Sequence, residues 1–562
     1  MTIYAQKETS FDTNALRVVF CDRISTSKGA LRPHRKGKVS MKRTKLLALL
    51  TSISCILLTI VLVGSYFTAA YAMMINKELG IVTTSVVTDD PSKNATYYAS
   101  SFLKEDGTRD DDALTAWQKA LCEQIQGEGS VLLTNNGALP MEKGMGVTVF
   151  GRGAVDTIYG GTGSGQVDTS KAATMTSALT AAGLNVNTAM MDWYSAQIAQ
   201  MKEDKTNRST PGMFTEYADV PAATRIAEVS ADAVAASGVN LDGYKDAAIV
   251  VIGRSGGEGA DLYTGEFTDG TSYFELQDSE RELLKYVASQ GFSKTIVLIN
   301  SSNAMAMDWV NNPEYGVDAC LVFGATGNYG FIGLADILTG KADVTGHLAD
   351  TWAASSLSSA AMQNFGDYQF TNLNKLYADR YLVYAEDIYV GYKYYETRYQ
   401  DEVLGINNAT GSAGAFMGDT WSYADEMAYP FGYGLSYADF TQEVQDIQWN
   451  RQEHTITASV KVTNNGGFSG ASKSLVQLYA QTPYETGMVQ KPAVQLIGFQ
   501  KTGELSAGES EIVTVTVSDY FLASYDENAV NGADETKQGS YILDKGDYYF
   551  AIGSSCHDAL NN

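Results

Sequence analysis

The longest feature in the hydropathy pattern is residues 46–75, which hold no charged side chain between Lys45 and Lys77. A helix needs about 20 apolar residues to cross a bilayer, so this run predicts one N-terminal transmembrane helix. Residues 76–116 are polar, rich in Asp, Ser and Thr, and read as a stalk. From Trp117 onward, short β-branched apolar runs recur at residues 147–150, 247–253, 295–300 and 319–324. Each is short enough for a parallel strand buried on both faces. Between them the stretch from Asp278 to Ser289 has helical spacing. Strand–helix alternation predicts an α/β domain, an open doubly wound sheet with helices on both faces, over residues 117–440. Beyond Phe440 the pattern changes to strict alternation, at residues 455–462, 475–479, 512–517 and 548–552. Turn signals such as Asn464-Asn-Gly-Gly467 and Ala507-Gly508 separate these runs. They predict an all-β sandwich over residues 441–562, of immunoglobulin-like size.

Charge sharpens this division. The formal net charge is −25, yet residues 1–45 hold eleven Lys/Arg against three Asp/Glu, which leaves −33 on the remainder. A body so acidic repels polyanions, so nucleic-acid binding is not expected. Arg32, Arg35, Lys36, Lys38, Lys42, Arg43 and Lys45 crowd the N-terminal side of the apolar run. The positive-inside rule then keeps residues 1–45 in the cytoplasm as a basic tail, with the main body extracytoplasmic on a single-pass anchor in the cell membrane. Ala70-Tyr71-Ala72 offers the rival reading of a cleaved signal peptide, and Met41 opens a second plausible start. Beyond the apolar run lie Cys122, Cys320 and Cys556, an odd and sparse set that reads as small buried apolar residues rather than a disulfide framework. His34, His347, His454 and His557 show no metal-ligand spacing, and no metal or other cofactor is expected.

Two glycine clusters follow the first predicted strand of the α/β domain, Gly151-Arg-Gly153 and Gly160-Gly-Thr-Gly-Ser-Gly165. A dinucleotide fingerprint needs its third glycine to open a helix directly after the strand, but Asp156 stands there. Glycines that permit positive φ and close backbone approach are the better reading. The sharper motif is Arg254-Ser-Gly-Gly-Glu-Gly-Ala-Asp261, at the end of the most apolar run. Ligand sites in open α/β sheets lie beyond the carboxyl ends of strands. Glu258, flanked by glycines, is the candidate catalytic carboxylate. Arg254 and Asp261 are candidate substrate-binding residues that would also orient it or tune its pKa. On these residues alone an ordinary surface loop remains equally open. The tyrosines dense between Tyr384 and Tyr399 are expected mainly to pack domains together.

Several segments resemble glycoside hydrolase family 3. Glu128-Gly-Ser-Val-Leu-Leu-Thr-Asn-Asn-Gly-Ala-Leu-Pro140 is similar to the opening of that family's C-terminal α/β-sandwich domain. So are Gly340-Lys-Ala-Asp-Val-Thr-Gly346, Ala385-Glu-Asp-Ile-Tyr-Val-Gly-Tyr-Lys-Tyr-Tyr395 and Tyr429-Pro-Phe-Gly-Tyr-Gly-Leu-Ser-Tyr437. The tail, with Val494-Gln-Leu-Ile-Gly-Phe-Gln-Lys501 and Gly546-Asp-Tyr-Tyr-Phe-Ala-Ile-Gly553, resembles the family's fibronectin type III-like domain. The resemblance implies a retaining β-glucosidase-like hydrolase acting on a β-linked oligosaccharide or glycoside. It also implies that a (β/α)8 barrel, as a domain or partner chain, supplies an aspartate nucleophile, while Glu258 is the acid/base. Leu262 stands where many members have arginine, which bears on local sugar contacts. Asp192-Trp193 and Asp308-Trp309 only superficially echo a nucleophile motif. The order of segments resembles permuted members that place the barrel after the fibronectin-like domain. The alternative expectation is a non-catalytic, membrane-anchored module that binds glycan or scaffolds a partner.

Overall fold

The computed structural model describes residues 41–72, 75, 76, 79, 101–161, 165, 167–203, 228–254, 272–366, 368–372, 380–406, 408, 409, 414–530 and 536–562. The chain divides into two units, Met1–Ser100 and Ser101–Asn562. In the first, α1 (Met41–Ala70) is a single helix of 30 residues. Its segment Lys45–Ala70 has a mean hydropathy of 2.8 and buries nothing inside the protein, so it is long and apolar enough to cross a membrane. Residues 1–40 of the expected tail, and most of the expected stalk up to residue 100, lie outside the described residues.

The second unit opens earlier than the stalk boundary at 116 allowed. Leu103 bridges to Arg109, and α2 (Asp111–Gly129) begins with Asp110 capping the Ala113 amide. The acidic run read as stalk is a helix start, since carboxylates at the first turn satisfy free N–H groups and meet the positive dipole end.

The sheet of the α/β domain contains β1 (Val131–Asn135), β2 (Gly146–Phe150), β3 (Asn185–Val186), β4 (Ala247–Arg254), β5 (Thr295–Ser301) and β6 (Ala319–Val322). Their order is β1-β6-β5-β4-β2-β3. Five strands are parallel, as expected, but β1 runs antiparallel to β6 at the edge. The connecting helices are α3 (Met175–Ala181), α4 (Thr188–Glu203), α5 (Ala231–Ala235), α6 (Asp278–Ser289) and α7 (Gly330–Leu338). Along β4, Ala248, Val250 and Ile252 enter one apolar core, and Ala247, Ile249 and Val251 enter the other. A strand packed by helices on both faces must be apolar at every position, which is why these runs were legible. The chain passes from β2 outward to β3, then crosses back to β4 on the other side of β2. The sheet therefore reverses direction between β2 and β4.

Short elements follow. They are β7 (Trp352–Ala353), α8 (Ala360–Asn364), β8 (Tyr368–Gln369), β9 (Arg380–Tyr381), α9 (Tyr392–Leu404), α10 (Tyr423–Glu426) and β10 (Met427–Tyr429). Tyr389, Tyr394 and Tyr395 are buried in a small cluster here, as packing residues, whereas Tyr384 is exposed.

The sandwich starts with β11 (Asp439–Asn450), two residues before the expected boundary, and continues through β12 (Thr455–Gly466), β13 (Leu475–Gln481), β14 (Gln495–Lys501) and β15 (Ser510–Ser518). After it come β16 (Ser524–Val530), β17 (Gln538–Ile542), β18 (Tyr549–Ile552) and the C-terminal α11 (Cys556–Asn561). One sheet is β11-β12-β15, the other β14-β13-β18, and β16-β17 forms a separate hairpin. Ile456, Ala458, Val460 and Val462 of β12 pack between the sheets against Val476 and Leu478 of β13. No disulfide joins the described cysteines; Cys320 and Cys556 are buried, and Cys122 is partly exposed.

Candidate active site at the sheet switch point

Gly151 directly follows β2 with φ +93°, and a Cβ there would sit 2.5 Å from the Val251 carbonyl oxygen. At Gly153 a Cβ would sit 2.8 Å from Val251 Cγ1. The first glycine cluster thus lets the chain after β2 lie directly on β4. This is close backbone approach rather than a nucleotide loop. The next turn is tied down by Asn300 at the end of β5. Its Oδ1 accepts from the Ile158 amide at 2.7 Å, and its Nδ2 donates to Ile158 O at 3.1 Å and Gly324 O at 2.5 Å. Residues 162–164 of the second glycine cluster lie outside the described residues.

Arg254, the last residue of β4, is fully buried, with a side chain 0% exposed. Its five N–H donors all have protein partners. Nε donates to Tyr273 O at 2.8 Å, and Nη1 to Gly253 O and Glu280 Oε1, both at 2.8 Å. Nη2 donates to Glu275 O at 2.6 Å and to Glu280 Oε2 at 2.7 Å. This is a two-pronged guanidinium–carboxylate pair, the strongest geometry for such a bond. Burial pulls the Arg254 pKa down, but the Glu280 carboxylate outweighs it and holds the guanidinium above its usual value. Glu280 is itself fixed at the third position of α6, where Oε2 also accepts from the Gln277 amide at 2.9 Å. The expected sugar contact by Arg254 is therefore corrected, because no donor is left to meet a ligand. Arg254 instead holds both arms of the segment between β4 and α6. Glu258 and Asp261 belong to residues 255–271, which lie outside the described residues.

On the β2 side of the crevice, Glu228 accepts from the Arg152 and Val229 amides, each at 2.8 Å. Burial outweighs these bonds and pushes its carboxyl up to about 7. Arg152 pairs with Asp156 through two bonds, at 2.6 and 3.1 Å.

Beyond the ends of β5 and β6 opens a cleft of about 910 Å³, walled by Phe274, Ser301–Ala304, Val322–Gly324, residues 347–353, Met362 and Phe365. Asp350 stands in this wall. Its Oδ1 accepts from the Thr351 amide at 2.8 Å, yet the crowding of the concave wall raises its pKa. Sequence reasoning missed Asn300, Glu280, Glu228 and Asp350. Only Glu280 left a local signal, the spacing Gln277-Asp-Ser-Glu280 that marks a helix start.

Residues 130–392 match the glycosyl hydrolase family 3 C-terminal domain, and residues 474–556 match the fibronectin type III-like domain. The chain carries a glycosyl hydrolase family 3 C-terminal domain followed by a fibronectin type III-like domain. Beta-glucosidase A of Butyrivibrio fibrisolvens is 31% identical over 81% of this chain and 51% of its own length. A beta-glucosidase structure from Paenibacillus barengoltzii matches with a TM-score of 0.60 at 29% identity, covering 78% of this chain and 42% of that one. Beta-glucosidase 3B of Thermotoga neapolitana, in complex with alpha-D-glucose, matches with a TM-score of 0.59 at 28% identity, covering 80% and 53%. The chain spans about half the length of the curated relatives it matches. The family motifs outside the crevice are joints. Asp343, from the Gly340–Gly346 stretch, accepts from Ser436 Oγ, the Tyr437 and Ala438 amides, and Ser472 Oγ of the fibronectin-like domain.

Proposed function

We propose that the protein acts as a β-glucosidase-like glycoside hydrolase with Glu258 as the acid/base of a retaining reaction. The observation that carries this reading is that β4 ends at Arg254 beside the switch point between β2 and β4, four residues before Glu258 in the sequence. Open α/β sheets bind ligands there, beyond the carboxyl ends of the strands. A single buried ion pair, Arg254–Glu280, fixes both arms of the segment between β4 and α6. The beta-glucosidase names of the relatives support the substrate class.

Retaining hydrolysis needs two carboxylates about 5–5.5 Å apart. One attacks the anomeric carbon. The other protonates the departing oxygen, then takes a proton from the water that cleaves the glycosyl-enzyme. Glu258 performs both proton transfers, and Asp261 contacts the sugar. The nucleophile is an aspartate of a (β/α)8 barrel, as a further domain or a partner chain. Among the described residues, the parallel strands form one open sheet and no barrel. In the same reading α1 lies in the cell membrane with the acidic body outside.

The test is the full chain in mild detergent, assayed with a family 3 barrel polypeptide on aryl β-glucosides and on unactivated disaccharides. Glu258→Gln should abolish disaccharide hydrolysis, since a poor leaving group needs the proton, with a loss of about 10²–10⁴-fold. Activated aryl substrates should stall as glycosyl-enzyme and turn over again with azide, which needs no base. Normal disaccharide turnover by Glu258→Gln would overturn the assignment. No barrel-dependent activity at all would favour the non-catalytic glycan-binding or scaffolding module.

A further inference from the structure

The fibronectin-like domain holds a second concavity, of about 490 Å³, that shares no wall residue with the cleft of the α/β domain. Its wall includes Asp519, whose side chain is only 8% exposed. Asp519 Oδ2 accepts from Trp449 Nε1 at 3.1 Å and lies 3.2 Å from His454 Nδ1. Its Oδ1 makes no hydrogen bond among the described residues. That oxygen is free to accept from a donor that enters the cavity. His454 closes the connection between β11 and β12 and adopts φ +55°, a conformation few side chains accept. Arg451, from the same connection, lies over the Trp449 ring at 4.5 Å, and Lys545 sits on the rim. Tyr548 completes the aromatic wall, its ring 5.1 Å from that of Trp449.

An aromatic surface adjoins this cavity. Tyr520 follows Asp519 directly, and Tyr541 lies two residues before Leu543 on the cavity wall. The Tyr520 and Tyr541 rings are 5.1 Å apart, and the Tyr525 and Tyr541 rings 5.3 Å. All three are more than half exposed, at 55%, 56% and 55% for Tyr520, Tyr541 and Tyr525. Three large rings grouped in water, two on the β16–β17 hairpin and Tyr520 on the turn before it, are unusual unless they meet a ligand.

The chemistry of the wall selects the ligand. Arg451 and Lys545 disfavour a cation. Asp519, Asp544 and the acidity of the whole body disfavour an anion. A purely apolar ligand would displace water from the carboxylate without offering it a donor. A neutral sugar ring has hydroxyls that donate to Asp519 and accept from Arg451 and Lys545, and C–H faces that lie on tyrosine and tryptophan. We propose that this cavity binds a neutral saccharide, with Tyr520, Tyr525 and Tyr541 extending the site along a neutral polysaccharide chain.

The experiment uses the full chain in mild detergent and reads equilibrium binding to a neutral soluble β-glucan, with polygalacturonate as the anionic comparison. Binding needs no hydrolysis, so failure of the glycosidase reading does not decide it. Wild type should bind the β-glucan and bind polygalacturonate far more weakly. Tyr541→Ala and Arg451→Gln, both at exposed positions that the fold tolerates, should each weaken β-glucan binding roughly tenfold. Asp519→Asn should weaken it further, with near-ultraviolet dichroism confirming a folded sandwich. Absent binding by wild type, preference for the anionic polymer, or unchanged affinity in both Tyr541→Ala and Arg451→Gln would each overturn the proposal.

Discussion

Replacing Glu280 with glutamine removes one negative charge and leaves the geometry of the site almost unchanged. The Arg254 guanidinium would then remain fully buried with no paired charge, since Glu280 is the sole carboxylate that bonds to it among the described residues and Glu228 acts on it only at longer range. Breaking a buried ion pair by removing one partner costs about 3–5 kcal/mol, because the surviving charge cannot be rehydrated in place. Three further acceptors on Arg254, the carbonyls of Gly253, Tyr273 and Glu275, remain and keep the loss near the lower end of that range. The Gln277 amide would lose a charge-assisted bond at the start of α6, adding up to about 1 kcal/mol. The expected result is a loss of about 3–5 kcal/mol in denaturant unfolding of the full chain in detergent, followed by near-ultraviolet dichroism. A conservative Arg254→Lys should cost nearly as much, because one ammonium cannot reach both carboxylate oxygens and three carbonyls. A Glu280→Gln loss below about 1 kcal/mol would refute the view that this pair organises the end of β4.

Two other outcomes are expected. Burial raises the Glu128 carboxyl, but bonds and charge from Lys473, Gln124 and Lys501 outweigh it and hold the group at about 2. A depressed carboxylate contributes stability above its unfolded pKa and loses it as pH falls from about 4.5 toward 2. This partly exposed joint between the α/β domain and the sandwich should therefore contribute about 1 kcal/mol at neutral pH, and Glu128→Gln should flatten acid unfolding across that window. If α1 spans the membrane as proposed, protease added to intact cells should remove the body, and full protection of residues 101–562 would refute that topology.

The legible parts of the fold were those in which one short stretch carries its own reason. The strands β4 and β5 are apolar throughout because both faces are covered, and α6 is amphipathic and bounded as predicted, from Asp278 to Ser289. The antiparallel β1 carried no such reason. Val131–Asn135 reads apolar whichever direction its neighbour runs. The hairpin of β16 and β17 was hidden because Asp526, Glu527 and Asn528 interrupt the apolar alternation. At the site, the glycine-flanked Glu258 stood out from composition alone, but the role of Arg254 did not. Its partners lie 19 to 26 residues further along the chain, across a segment with no periodic pattern. Sequence spacing marks a charged residue at a strand end. It cannot tell a side chain that reaches outward from one that turns back into the protein.

The joints between the two domains explain why the fibronectin-like sandwich shares one unit with the α/β domain. Three of these joints are carboxylates of the α/β domain that receive donors from the sandwich, beside uncharged ones such as Asn408 Nδ2 to Lys491 O and the Ala493 amide to Thr397 Oγ1. Glu128 takes Lys473 and Lys501, and Asp343 takes Ser472 while also binding the chain just before β11. Glu396, 1% exposed, takes His557 at 2.9 Å and the Cys556 thiol at 3.4 Å from α11, and Tyr423 at 2.5 Å from its own side. Two of the three carboxylates are buried, where an unpaired charge would be costly, so separating the domains would expose Asp343 and Glu396 to the loss of partners as well as of apolar contact. The chain crosses from Ala438 into Asp439 without a linker, and Ala438 is itself bonded to Asp343. A sandwich fixed at these separated points cannot swing freely. A saccharide held at Asp519 would therefore keep one orientation relative to the strand ends of the α/β sheet, and the sandwich would act as a rigid extension of that domain rather than as a tethered accessory.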